Sequence, residues 1–329
     1  MPPRRLGLAT LAATTALLSA GAGLVVAPPA VAAPVTAVVA ADGARIAGEK
    51  WIDARTVDLT VTSPAVGADV PVRVVLPTNY AAQPGSTWPV LYLLQGAHDD
   101  YTSWTRETDI VSFTADKDVL TVMPSAGPTG IPTTWWNYGR NAPDYETFQV
   151  TELTQLLQER FRAGTKRAVA GVSTGGYGAM AFAARHPGTF AAAASYSGIL
   201  DTTALGMPTV LEAIVAREQL LPLSLWGTLL FQRDNWNRRN PAAQAANLAG
   251  TKLYISQGSG LPGGIPGNLE GALLEGVLWS QAHRFTDRLT ALGIPAQVHF
   301  YSGGAHAWSS WQSEFRTSWP TLAAGLGLG

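Results

Sequence analysis

The sequence contains no cysteine. That single absence excludes a disulfide scaffold, thiolate metal sites and a cysteine nucleophile. Charge is also scarce, with Asp, Glu, Lys and Arg making up 14% of 329 residues, against roughly 25% in an ordinary globular protein. Lysine is the rarest of the four, and the net charge is −1. Basic residues form no run longer than short pairs such as Arg238-Arg239. The electrostatic footprint of a nucleic-acid binder is therefore missing, and nucleic acid is not an expected partner. No side-chain spacing suited to a metal ion stands out, so neither a metal nor a cofactor is expected. What the chain does have is 47% apolar residues. That is too many for a disordered solvating chain and enough for one large core.

Residues 1–33 read as an export signal. Arg4 and Arg5 precede an uncharged, apolar stretch from Leu6 to Val26, and Ala30-Val31-Ala32-Ala33 supplies a small-residue cleavage site. A secreted protein is expected, and the Arg pair is compatible with the twin-arginine route. The alternative reading of the same stretch is a retained anchor, since about 20 apolar residues span a bilayer, and association with the cell envelope would follow from it. Residues 34–50 are rich in Ala, Val and Gly and read as a flexible lead-in. One catalytic domain is expected over 51–329.

Within that domain, Trp51 to Thr62 and Val70 to Leu76 alternate apolar and polar residues around Ser63-Pro64 and Gly67, the pattern of an antiparallel hairpin. Val90 to Leu94, Val119 to Met123 and Ala168 to Val172 are short continuous apolar runs, as expected of strands buried on both faces. Phe190 to Tyr196, Lys252 to Ser256 and Gln297 to Tyr301 are further strand candidates. Phe148 to Phe161, Tyr177 to Arg185 and Gln281 to Leu292 carry helical spacing. Strands alternating with helices predict an α/β fold with a mostly parallel central sheet, an N-terminal antiparallel hairpin and helices on both faces. Asp201 to Gly250 is rich in Leu, Trp and Pro and reads as a cap-like excursion between two strands.

The chemistry-bearing motif is Gly171-Val172-Ser173-Thr174-Gly175, a G-x-S-x-G placed between a buried strand and a helix. A turn that sharp strains the backbone at Ser173 and pushes its hydroxyl out at the carboxyl edge of the sheet, while the helix N-terminus adds partial positive charge. A dinucleotide loop or a P-loop would need different residues at this turn. A free serine is a weak nucleophile and needs a base. Of the five histidines, His186 suits a helix end, His283 an exposed helix face and His299 strand packing. His98 follows a central strand, near the site but in the wrong place for the base. His306 follows the last strand and the Gly303-Gly304 loop, where the chain order serine, acid, histidine puts the base. The acid is not singled out by local pattern, because Gln257 to Leu269 holds no Asp or Glu. Glu270, Glu275, Asp287 and Asp201 all remain candidates. The tetrahedral intermediate of acyl transfer needs two N–H donors, expected from Thr174 and from Ala97.

Taken in order, Leu93-Leu94-Gln95-Gly96 with Asp99 to Trp104, Met123-Pro124, Trp135-Trp136, Gly171 to Gly175, His186-Pro187, Ser197-Gly198, Asn240-Pro241, Leu274-Glu275-Gly276 with Phe285 and Asp287, and His306-Ala307-Trp308 carry a resemblance. They resemble the putative-esterase branch of the α/β-hydrolases, which includes S-formylglutathione hydrolase, feruloyl and acetyl esterases, and the antigen 85 mycolyltransferases. The resemblance covers about residues 51–320. It implies an α/β-hydrolase fold and an acyl-enzyme on Ser173, acting on a small-molecule or glycolipid ester. In the mycolyltransferases the acid is the Glu of a Leu-Glu-Gly followed at fixed distances by Phe and Asp, which implies Glu275 over Glu270. Three departures separate the chain from the transferases. Gln95 replaces an Asp, the Ala97–Asp100 loop is shorter and lacks the Arg that meets trehalose, and the Ser-Thr-Gly-Gly turn is closer to the esterases. Acyl chemistry is implied; trehalose and mycolate specificity are not. A secreted serine esterase is the expected function, with an acyltransferase to a sugar or glycolipid as the first alternative. A non-catalytic binding protein on the same scaffold is the second. Trp104, Trp136 and Trp308 are expected at the substrate rim.

Overall fold

The computed structural model describes residues 38–260 and 269–328, and the expected export signal at 1–33 lies outside them. Nine strands form one sheet: β1 Arg45–Trp51, β2 Thr56–Ser63, β3 Ala68–Val75, β4 Trp88–Leu94, β5 Leu120–Pro124, β6 Ala163–Val172, β7 Ala192–Tyr196, β8 Lys252–Gly258 and β9 Ala296–Tyr301. Their order is β1-β2-β3-β5-β4-β6-β7-β8-β9. The pairings from β1 through β2 and β3 to β5 are antiparallel, and all the others are parallel. This is the mostly parallel α/β sheet that the strand and helix pattern predicts, and the α/β-hydrolase fold that the family resemblance implies. Among the described residues no helix is long and apolar enough to cross a membrane.

Two expectations at the entrance change. Residues 45–50 are not a flexible lead-in but most of β1, paired with β2 from Arg45↔Thr62 to Trp51↔Val57. An edge strand is half solvated and needs no continuous apolar pattern, so Arg45, Glu49 and Lys50 are compatible with it. Nor does one strand run from Trp51 to Thr62. Asp53 breaks it, its carboxylate accepting the N–H groups of Arg55 at 2.7 Å and Thr56 at 2.8 Å, which is how an Asp side chain closes a turn.

The helices are α1 Ser103–Glu107, α2 Ile110–Phe113, α3 Tyr145–Thr147, α4 Leu153–Phe161, α5 Thr174–Arg185, α6 Met207–Arg217, α7 Arg233–Arg238, α8 Leu269–Ala291 and α9 Trp308–Leu326. One π-helical stretch, Phe148–Glu152, joins α3 to α4. Strand alternation sorts the core into two layers. Tyr92, Val169, Ala193 and Ile255 face Leu156 of α4 and Met180 and Phe182 of α5. Their neighbours Leu91, Ala168, Ala170 and Ala194 face Trp311, Phe315 and Leu322 of α9. The central strands are fully buried, so they read as apolar runs without alternation. The excursion 201–250 carries α6 and α7 and forms a third cluster, in which Met207, Leu211, Trp226 and Trp236 pack with Trp135, Tyr177 and Leu278.

Candidate active site

Strand β6 ends at Val172 and α5 begins at Thr174, so the chain turns from strand to helix at Ser173. Ser173 sits at φ 54° and ψ −119°, a region that residues with a side chain seldom occupy. Two glycines leave room for the turn. A Cβ on Gly171 would lie 2.2 Å from the carbonyl oxygen of Gly175, and one on Gly175 would lie 2.4 Å from that of Gln95. The Ser173 N–H donates to the Tyr196 carbonyl at 2.9 Å, and its own carbonyl accepts from the Tyr177 N–H at 3.0 Å.

The serine Oγ is 2.9 Å from His306 Nε2. His306 is held in the loop after β9 at φ 48°, with its ring edge-on to Trp311 at 5.0 Å. Its Nδ1 lies 3.1 Å from Oε1 of Glu275. Glu275 is fully buried on α8, and its second oxygen accepts the Gly258 N–H at 3.0 Å and the amide of Gln257. A carboxylate at Nδ1 selects the tautomer protonated there, so the Ser173 hydroxyl donates to a free Nε2 lone pair.

The other acid candidates meet other partners or solvent. Glu270 is solvent-exposed and pairs with Arg217 at 3.3 Å. Asp201 accepts from Asn240 at 2.8 Å, and Asp287 is on the exposed face of α8. The remaining histidines also have their own partners. His186 caps α5 and meets Glu146 at 2.7 Å, and His299 meets Glu314 at 3.0 Å. His283 is not on an open helix face, since it stacks on Phe300 at 3.8 Å.

Ser173 and His306 open into a cavity of about 500 Å³. Ala97 lines it too, and a Cβ on Gly96 would stand 3.5 Å from the Ser173 Cβ, so the loop after β4 lies against the serine. Thr174 is the first residue of α5, where backbone N–H groups have no partner within the helix. The apolar walls of the cavity are formed by Val210 and Ile214 of α6 and by Leu274 and Val277 of α8, and Arg217 and Glu270 line it as well.

The three tryptophans expected at this rim are not part of it. Trp104 is 1% exposed, donates its indole N–H to the Leu94 carbonyl at 3.1 Å and packs on Trp308 at 5.2 Å. Trp308 is half-buried between Trp104 and Trp311. Trp136 leans on Tyr138 at 5.5 Å and bonds the Leu225 carbonyl through its main chain. A large ring next to a sheet gains more by filling the core than by waiting for a ligand. The sequence reading also did not find the cavity walls on α6, nor Gln257 behind the acid. Starting α8 twelve residues earlier would have placed Glu275 in register with Leu278, Ala282, Phe285 and Leu289, all buried.

The sequence profile of the family described as putative esterase matches residues 63–322. The chain belongs to this putative esterase family. The esterase is similar to the diacylglycerol acyltransferase/mycolyltransferase Ag85A of Mycobacterium leprae, at 29% identity over 282 residues, 82% of this chain and 83% of that one. Its fold is similar to Mycobacterium tuberculosis MPT51, with a TM-score of 0.67 and 23% identity over 82% and 97% of the two chains. An S-formylglutathione hydrolase from Agrobacterium tumefaciens aligns with a TM-score of 0.61 and 16% identity, covering 84% and 98%. The esterase is therefore an enzyme of the ester hydrolase and acyltransferase class.

Proposed function

We propose that this esterase is a secreted serine carboxylic-ester hydrolase that works through an acyl-enzyme on Ser173. The observation that carries the proposal is the unbroken hydrogen-bonded line from Ser173 through His306 to the buried Glu275, ending in a cavity with apolar walls. In this reading Ser173 Oγ attacks the ester carbonyl and passes its proton to His306 Nε2. Glu275 holds Nδ1–H and stabilises the imidazolium that forms. The N–H groups of Ala97 and Thr174 receive the oxyanion. His306 then returns the proton to the departing alcohol, and water, activated by the same imidazole, releases the acid. The apolar faces of α6 and α8 would take the acyl chain, making the excursion 201–250 a cap over it. Residues 1–33 would direct export.

The similarity to an acyltransferase supports a second reading, in which a sugar or glycolipid hydroxyl replaces water. Hydrolysis and transfer use the same residues and differ only in which hydroxyl the cavity holds. Gln95 is a departure from the transferases, and its amide donates to the carbonyls of Asp99 at 2.5 Å and Gly127 at 3.1 Å, bracing the loop after β4.

A fluorophosphonate probe tests the nucleophile: it should label the wild type at Ser173 and leave Ser173→Ala unlabelled. Labelling elsewhere, or none, would overturn the assignment and favour a binding protein. A short-chain aryl ester, turned over with and without trehalose or another sugar, separates hydrolysis from transfer. A new acyl-sugar product would displace the hydrolase reading.

A further inference from the structure

A second cavity, of about 210 Å³, lies on the same edge of the sheet as the serine cavity and is lined by Trp135, Pro143, Tyr145, Leu220 and Leu221. It is apolar, and for scale a 150 Å³ apolar cavity accepts benzene. What separates it from the serine cavity can be read from two chain segments. In the first, Ala97 and His98 line the serine cavity, while the His98 N–H donates at 2.8 Å to the carbonyl of Pro128, which lines the second. In the other, Arg217 lines the serine cavity and Leu220 lines the second. Between those changes of side, the two segments are joined side chain to side chain, His98 Nδ1 against the Glu218 carboxylate. Both side chains are half-buried. His98 is also held at φ 62°, a conformation that costs a residue with a side chain and persists only where its surroundings impose it.

We propose that the His98–Glu218 pair is the end wall of the acyl site, and that the apolar cavity behind it is a latent subsite for an aryl ring or a short alkyl segment. The pair limits which acyl groups Ser173 accepts, and removing it joins the two spaces. The inference rests on the esterase reading of Ser173 and adds a determinant of acyl size to it.

The test uses the full mature chain and a series of aryl esters of rising acyl length. For Glu218→Ala and His98→Ala, the kcat/KM ratio of an ester about three methylenes longer than the wild-type optimum to a short ester should rise at least tenfold. Each newly buried methylene is worth about a factor of four. Glu218→Gln, which keeps the bulk and an acceptor for His98, should leave the ratio within about twofold of wild type. Adding Leu221→Trp to Glu218→Ala should fill the second cavity and take the gain back. An unchanged ratio in both alanine variants overturns the proposal, and so does a gain that survives Leu221→Trp. If an alanine variant turns over neither ester, Ser173 labelling rates with short and long alkyl fluorophosphonates decide by the same ratio. Failure of the underlying reading looks different, because the wild type itself would then go unlabelled at Ser173.

Discussion

Replacing Glu275 with glutamine removes one charge and almost no volume, so it tests the role of the acid with little disturbance of packing. In the wild type one carboxylate oxygen meets His306 Nδ1 at 3.1 Å, and the other accepts from the Gly258 N–H at 3.0 Å and from the Gln257 amide. Every partner is a donor, which a carboxylate satisfies and a carboxamide does not. The substituted carboxamide has one oxygen and one NH2 group, so one side must mismatch. If the oxygen faces His306, the NH2 group points at two donors, one of them a backbone N–H that cannot turn away. If the oxygen faces Gly258 and Gln257, the NH2 group faces Nδ1 and forces the proton to Nε2. The second arrangement satisfies more groups. It also leaves Nε2 unable to accept the Ser173 proton. In serine hydrolases generally, the wrong tautomer costs about 10⁴ in kcat, equivalent to roughly 5.5 kcal/mol of transition-state stabilisation. We therefore expect Glu275→Gln to lower kcat on a short aryl ester by about 10³–10⁴, with KM within about threefold and the denaturant midpoint little changed. Asp287→Asn, on the exposed face of the same helix, serves as the control and should stay within about twofold. A Glu275→Gln enzyme retaining more than a tenth of wild-type kcat would refute the reasoning and leave Glu275 as a structural brace for the β8 end.

Two further outcomes follow from other parts of the molecule. Trp104→Phe deletes the indole bond to the Leu94 carbonyl in a closed aromatic cluster; it should cost about 1–3 kcal/mol in urea unfolding. A shift in ester KM without loss of stability would restore Trp104 to the substrate rim. Burial pushes the Glu146 carboxyl up, but the hydrogen bond from His186 and the neighbouring Arg185 outweigh it and hold the carboxyl below its ordinary range. A carboxyl depressed in the folded state contributes stability above its unfolded pKa and loses it as pH falls through the folded one. Glu146→Gln should therefore lose less stability than wild type between about pH 5 and pH 3. Parallel pH–stability curves for the two proteins would show that the Glu146 contacts contribute nothing to acid sensitivity.

How far the sequence could be read depended on how local each signal was. The turn at Ser173 was legible because its cause lies within five residues: the two flanking glycines stand two residues either side of the serine, and the strand before them is a plain apolar run. His306 followed from chain order once the serine was placed. The central strands from β4 to β8 were legible for the same reason, since strands buried on both faces announce themselves by composition. The edge strand β1 was not, because half its residues face water and its partner lies across a turn made by one Asp side chain. The acid depended on helix phase. Glu270 and Glu275 stand in identical Leu-Glu-Gly triplets, and five residues rotate a side chain about 140° around a helix. Only one of the two can share the face of Leu278 and Phe285, and that face packs toward β8 and His306. The phase becomes readable only once the helix is known to begin near Leu269. The tryptophans failed for the opposite reason: their positions in the chain are near the catalytic edge, but ring orientation is a packing outcome. Trp104 turned inward, with Trp308 packed against it, to fill a cluster drawn from segments more than a hundred residues apart. The loops after β4, β6 and β9 bring the reacting groups together, and the tryptophans stabilise the sheet and cap behind them. That division is why substituting a core ring should register first in stability, and substituting Glu275 first in kcat.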